Sequence, residues 1–219
     1  MVDFAQARRI MVDSQLRTFD VNDIPLLDAM NAVPRERFVA PGRESLAYMD
    51  RDIVVSDGPE RRSMLSPMVA ARMIQALGIE RGQRALDVAC GLGYTCAVLA
   101  ELGAEVTGLE ESAELAAAAE ARLAAVGAAV RVVAGPLDRG HADGAPYDAI
   151  LVNGALEVRP EGLLRQLADG GRLVCIQGRG RSARATLYVR AGDAFGQRSL
   201  FDAAAPLLAG FRAEPGFVF

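Results

Sequence analysis

The chain contains no lysine and no tryptophan, and His141 is its one histidine. Without lysine there is neither a Schiff-base amine nor the phosphate-gripping amine of a P-loop. A single histidine, set in the polar loop RGHADG, disfavours a Ser-His-Asp hydrolase and a histidine-bound zinc. Cysteine is scarce too: Cys90, Cys96 and Cys175 are an odd number at no metal-ligand spacing, each in an apolar segment, and read as buried thiols. No metal site is expected. Apolar runs are broken by charge before the ~18 residues of a membrane span, and the start MVDFAQARRIMVD lacks the apolar core of a secretion signal. The expected location is therefore cytoplasmic, with no membrane partner. All 24 basic residues are arginines scattered among 28 acids, so no nucleic-acid footprint is expected either. What remains is 219 residues, 51% hydrophobic, with a net charge of −4: one α/β domain with a real core and room for a small subdomain.

The most informative stretch is ALDVACGLGY, Ala85 to Tyr94. A short apolar run carries Asp87, then passes through Ala89 and Cys90 into a turn holding Gly91 and Gly93. Glycines there let the backbone approach a ligand where a Cβ would collide, and the next segment reads as a helix whose N-terminus faces that ligand. An adenosine-bearing cofactor site begins this way in a doubly wound α/β fold, although a bare Gly-x-Gly turn also serves as a tight strand-to-helix link.

Residues 5–33 are predicted as two helices, the first carrying Ile10, Met11 and Leu16, the second Ile24, Leu27, Met30 and Val33, stopped by Pro34. Residues 34–62 read as loop-rich. Ser66 is placed as an N-cap and Pro67 as the first residue of a helix with a buried stripe of Val69, Met73 and Leu77. Strands are then expected at 84–88, 105–109, 130–134, 149–152 and 172–177, with helices at 94–102, 112–126 and 160–167. This alternation predicts right-handed βαβ units, a parallel sheet covered on both faces, and a ligand at the carboxyl ends of the strands. A further strand at 185–189 is expected to be antiparallel. The apolar C-terminus should add a final strand and pack over the sheet, with its PGFVF end as a candidate interface.

Two adenosine cofactors share this architecture. A dinucleotide fingerprint needs a third glycine where Cys96 stands, and Asp87 would oppose a pyrophosphate. Near a sulfonium and an ammonium the same carboxylate is favourable, which points to S-adenosyl-L-methionine. Glu110, 17 positions after Gly93, suits ribose hydroxyls in either case, with Glu111 beside it. Asn153 faces the same crevice, as a ligand contact or a loop cap.

More of the chain carries a resemblance. In order, QLRTFDVNDIPLLDAMNAVPRERFVAP, AYMDRDI, SMLSPMVAARM, ALDVACGLGY, GAPYDAILVN and LLRQLADGGRLV resemble successive signatures of the protein-L-isoaspartate O-methyltransferase family, over residues 11–178. The resemblance implies a class I methyltransferase fold: a doubly wound, mostly parallel seven-stranded sheet with an antiparallel C-terminal strand. It also implies an N-terminal helical extension, residues 1–66, capping the substrate side of a cofactor-binding domain, 67–219. The implied reaction moves a methyl group from S-adenosyl-L-methionine to an isoaspartyl carboxylate of a damaged protein or peptide. That nucleophile is ionised at neutral pH, so the lack of His and Lys is no obstacle.

The chain departs from the family pattern in places. Where the family has Thr-Ile-Ser, one residue and Pro, this chain reads Ser63-Met64-Leu65-Ser66-Pro67, so Leu65 replaces the serine at the reacting methyl. Ser63 keeps a hydroxyl near the site and, with the loop carboxylate Asp50, is the candidate for a catalytic contact. Ala89 replaces the first glycine of the turn. In Gly135-Pro136-Leu137, Pro136 stands where an aspartate would hold the adenine end, leaving backbone at Pro136 and Leu137 to line the ring. The resemblance places Leu65, Ser66, Asp87, Ala89, Cys90, Gly91, Gly93, Glu110, Glu111, Pro136, Leu137 and Asn153 beside the cofactor. Arg35 and Glu36 are expected to form an ion pair anchoring the N-terminal helices. Two other readings stay open on sequence: transfer to a different acceptor, and a cofactor-binding sensor without repair activity.

Overall fold

The computed structural model describes residues 2–56 and 62–213. Among these residues nine strands form two sheets. Strands β1 (Ile53–Ser56) and β2 (Arg62–Met64) make a small antiparallel ribbon. The main sheet has the order β5-β4-β3-β6-β7-β8-β9. Its members are β3 (Arg84–Val88), β4 (Glu105–Glu110), β5 (Arg131–Ala134), β6 (Tyr147–Leu156), β7 (Leu167–Gln177), β8 (Arg184–Ala191) and β9 (Ala194–Asp202). From β5 through to β7 every pair is parallel, whereas β8 runs antiparallel to β7 and β9 antiparallel to β8.

Among the described residues six α-helices accompany the strands: α1 (Phe4–Met11), α2 (Ile24–Ala32), α3 (Pro67–Leu77), α4 (Tyr94–Glu101), α5 (Ala113–Ala125) and α6 (Glu161–Leu164). Strand residues alternate between two cores, one on each face. Ala149, Leu151, Val174 and Ile176 join the core that also holds Met73, Leu77 and the N-terminal helices. Ile150, Val152, Leu173 and Cys175 join the core on the other face with Leu163, Leu164 and Tyr188. This two-fold period with both faces buried is what near-continuous apolar strands dictate.

Some elements differ from the sequence expectation. The first helix ends at Met11 and continues as a wide turn (Val12–Leu16) and a tight one (Arg17–Phe19), which turns Met11 and Leu16 into the core but leaves Ile10 exposed. Ile24 is exposed as well, at the first turn of α2. The helix predicted at 160–167 is a single turn, because Leu167 already pairs with Tyr147 at the start of β7. The loop-rich region 34–62 contains β1 and the start of β2. The C-terminal segment after β9 packs over the sheet, where Leu208 and Phe211 are buried, while PGFVF lies outside the described residues.

The switch in strand order falls between β3 and β6, where consecutive connections leave in opposite directions and open a crevice at the carboxyl ends. Val88 lies opposite Val152, so Ala89 and Asn153 are the next residues beyond that pair. Pairing between β6 and β7 slips between Leu151 and Ala155, and this irregularity sits at Asn153.

At the far edge, β9 is largely exposed, and its two phenylalanines are covered by arginines. The Arg72 guanidinium stands 4.0 Å from the Phe201 ring centre and that of Arg159 stands 5.6 Å from Phe195.

Candidate active site

The turn after β3 curls tightly. Ala89, Gly91 and Gly93 all have positive φ, at 55°, 58° and 94°. For an alanine this left-handed conformation costs about 1–2 kcal/mol, so the turn stores strain where β3 delivers the chain to the cleft. A Cβ on Gly93 would come within 3.1 Å of Leu123, so that glycine serves both conformation and close helix packing. Above the turn lies a narrow cleft. Ala89, Cys90, Gly91 and Asn153 line it from the sheet side, and Val55, Ser63 and Leu65 from the N-terminal side.

Asp87 sits one layer behind this lining. It is fully buried and accepts hydrogen bonds from Thr95 Oγ1 (2.5 Å), Cys96 Sγ (3.0 Å) and Asn153 Nδ2 (2.6 Å). Burial pushes its carboxyl up to about 6, against the pull of those three donors and with a smaller push from Glu110. Its charge thus reaches the cleft through Asn153 and Thr95, which do line it. Cys96, which stands where a dinucleotide fingerprint has glycine, closes this network.

Glu110, at the end of β4, is also fully buried. Its Oε2 accepts from Gly91 N–H at 2.9 Å, tying the strand end to the glycine turn. Its Oε1 accepts from Glu111 N–H (2.9 Å) and from Arg62 Nε (2.9 Å), while Arg62 Nη2 reaches Glu111 Oε2 at 3.2 Å. Arg62 is 2% exposed, so this is a buried ion pair, and its arginine had no signal in sequence beyond the polar run Glu60-Arg61-Arg62. A carboxylate offers about four acceptor positions. Three are used, so two ribose hydroxyls would require Arg62 to release one.

The N-terminal wall holds the largest correction. Arg35 does not pair with Glu36. Glu36 instead accepts from the Tyr48 hydroxyl and lies 3.9 Å from Arg8. Arg35 turns inward and is completely buried. Its Nε donates to Ala47 O (2.7 Å) and its Nη2 to Leu65 O (2.6 Å), with the guanidinium carbon 4.6 Å from the Tyr94 ring centre. Adjacent residues on a tight turn point apart, and the three partners lie far along the chain, which a local sequence reading could not see.

Ser66 occupies the N-cap position of α3, yet its hydroxyl makes no capping bond. Asp50 Oδ1 accepts from Met68 N–H at 3.4 Å and Asp52 Oδ1 from Ser66 N–H at 2.8 Å. Two carboxylates from one loop therefore serve the positive end of the helix, since Pro67 has no N–H to offer. Asp52, absent from the sequence candidates, is held above the usual carboxylate range by burial. Asp50 is exposed and does not line the cleft. Leu137 is buried in the core beside Leu163 and Leu164, and Pro136 is exposed at the start of the turn Leu137–Arg139; neither lines the cleft. Among the described residues, no group of three or more His, Cys, Asp or Glu side chains could hold a metal ion.

The family profile of Protein-L-isoaspartate(D-aspartate) O-methyltransferase matches residues 8–201. The chain belongs to this family. The Protein-L-isoaspartate O-methyltransferase of Methylorubrum populi is 45% identical over 174 residues, 80% of each chain. Protein-L-isoaspartate O-methyltransferase 1 of Rhodopseudomonas palustris is 41% identical over 83% of this chain and 73% of its own. In structure, a protein-L-isoaspartate O-methyltransferase superposes with a TM-score of 0.80 at 24% identity, over 93% of this chain and 65% of the other. A Plasmodium falciparum protein described as of this type, solved with S-adenosyl-L-homocysteine, gives 0.79 at 17% identity, over 96% of this chain and 100% of its own. The likeness extends to the sheet: a mostly parallel array with antiparallel C-terminal strands and N-terminal helices.

The methyl donor of this methyltransferase is S-adenosyl-L-methionine, and its cleft suits that group. The glycine turn admits close backbone approach, the buried Glu110 anchors that turn from behind through Gly91 N–H, and the buried Asp87 puts negative potential behind a place for positive charge. Among the described residues no helix is long and apolar enough to cross a membrane.

Proposed function

We propose that this protein repairs damaged proteins by methylating the free carboxylate of isoaspartyl residues. The observation that carries it is a cleft with a cofactor turn on one side, the ribbon segment with Ser63 on the other, and no histidine or lysine between them. Chemistry at such a place must use a nucleophile that arrives ionised, and a carboxylate does. When bound, S-adenosyl-L-methionine supplies an electrophilic methyl on a positively charged sulfur. Leu65, Val55 and Met64 present apolar surface to the cleft and keep water from solvating the incoming carboxylate. In that low-dielectric setting a reaction that cancels opposite charges is assisted by positioning alone, an effect that can supply roughly 7–11 kcal/mol.

Leu65 cannot donate a hydrogen bond, so the hydroxyl that steadies the carboxylate is assigned to Ser63. It is two residues from Leu65 and lines the same cleft. The segment 1–66 acts as the substrate-side cap, with Asp50 positioning α3 through Met68 N–H, and repair of this kind suits a cytoplasmic protein. Ser63→Ala should lower kcat/KM for an isoaspartyl peptide about tenfold, the worth of one hydrogen bond to a charged group. Steady-state kinetics with radiolabelled S-adenosyl-L-methionine test this. The same assay tests the function: labelling of an isoaspartyl peptide but not its aspartyl twin is expected, and equal labelling of both, or of neither, overturns it.

A further inference from the structure

Among the described residues Arg35 is a buried cation with no carboxylate at ion-pair distance, Asp52 attracting it only from further off. Two of its nitrogens are satisfied by carbonyl oxygens, but Nη1 has no hydrogen-bond partner, and neither does the buried Tyr94 Oη. Both residues line the cleft, with the guanidinium 4.6 Å from the Tyr94 ring centre, and an anion placed beside them would accept hydrogen bonds from both unsatisfied groups. Buried charges in folded proteins are almost always paired, because an isolated one is strongly disfavoured. We infer that Arg35 and Tyr94 form a carboxylate-binding subsite that holds the methionyl carboxylate of the cofactor. This rests on the assignment of S-adenosyl-L-methionine to the cleft.

Two carboxylates come to this cleft, and reaction energetics choose between them. The isoaspartyl carboxylate loses its charge as it becomes an ester. A guanidinium paired to it would bind the ground state better than the transition state and slow the transfer. The methionyl carboxylate keeps its charge throughout, so pairing it with Arg35 costs nothing at the barrier. Arg35 also grips Leu65 O at 2.6 Å, so one guanidinium would join the cofactor to the segment that faces the substrate.

The test compares two ligands by calorimetry: S-adenosyl-L-homocysteine, and 5′-methylthioadenosine, which keeps the adenosyl thioether but has no amino-acid carboxylate. Arg35→Gln should weaken S-adenosyl-L-homocysteine by about 10- to 100-fold, the range for hydrogen bonds to a charged group, and leave 5′-methylthioadenosine within twofold. Arg35→Lys should recover part of the loss. Tyr94→Phe, which removes one oxygen and keeps the ring under Arg35, should weaken the first ligand several-fold and not the second, so the inference stays testable if Arg35→Gln does not fold. Equal losses for both ligands would mean a structural role and overturn the inference. So would unchanged affinity for S-adenosyl-L-homocysteine with a raised KM for isoaspartyl peptide, which would assign the subsite to the substrate. If the unaltered protein binds neither ligand, the cofactor assignment itself fails.

Discussion

Glu110→Ala should be the most destabilising single change in the site, by about 3–5 kcal/mol. It takes from Arg62, 2% exposed, its buried carboxylate, leaving the more exposed Glu111, opens an empty space, and removes the acceptor of two backbone N–H groups, those of Gly91 and Glu111. Arg62→Met should cost less, because Glu110 keeps both backbone donors and the methionine stem fills much of the arginine's volume. Urea unfolding of the two variants measures the asymmetry. Equal costs would show that the ion pair, rather than the backbone anchoring by Glu110, carries the stability.

Asp87→Asn should have the largest effect on cofactor discrimination. S-adenosyl-L-methionine has a positive sulfur and S-adenosyl-L-homocysteine a neutral one, so removing the negative charge behind the cleft should weaken the first more than the second. The amide also sets a donor against the donors of Thr95, Cys96 and Asn153. With the native carboxyl at about 6 in the folded state and ~3.9 in the unfolded chain, the preference for the charged cofactor should grow as pH rises from 5 to 7. Stability follows the opposite sign. The folded protein holds this proton more tightly, so Asp87 favours folding most below ~pH 4 and that contribution, of the order of 3 kcal/mol, is lost as pH rises through about 6. Asp87→Asn should remove this part of the pH dependence. An unchanged ratio of the two affinities across pH 5–7 in the unaltered protein would mean that Asp87 does not titrate there.

The parts legible in sequence were those fixed by short-range rules. The α/β alternation follows from apolar runs of strand length between helical segments, and the glycine turn follows from positions where only positive φ closes the curve. Asp87, Glu110, Gly91 and Asn153 were all placed near the crevice from strand ends and the glycine turn, and the structure joins them in two pairs, Glu110 with Gly91 and Asp87 with Asn153. The N-terminal wall was read poorly because it is built from distant partners. Arg35 meets Ala47 and Leu65, 12 and 30 residues on, whereas the sequence offered only its neighbour Glu36. One signal was available: Arg35 stands between Val33 and Phe38, both buried, in a segment with little room for a solvated cation. Asp50 was read as a candidate catalytic contact, and its capping role, like that of Asp52, was hidden differently. A capping carboxylate is normally sought next to its helix, and these come from a loop 14 to 18 residues earlier.

The cover of the sheet's far edge has a consequence for colloidal behaviour. An exposed strand such as β9 invites pairing with another copy, and charged neighbours are a common defence. Here that defence is arginine stacked on Phe201 and Phe195, not lysine. A planar guanidinium lies flat on an aromatic ring as a lysine ammonium does not. The edge is therefore guarded by charge that also covers its apolar rings, and Arg72→Ala together with Arg159→Ala should raise self-association through β9, read by light scattering.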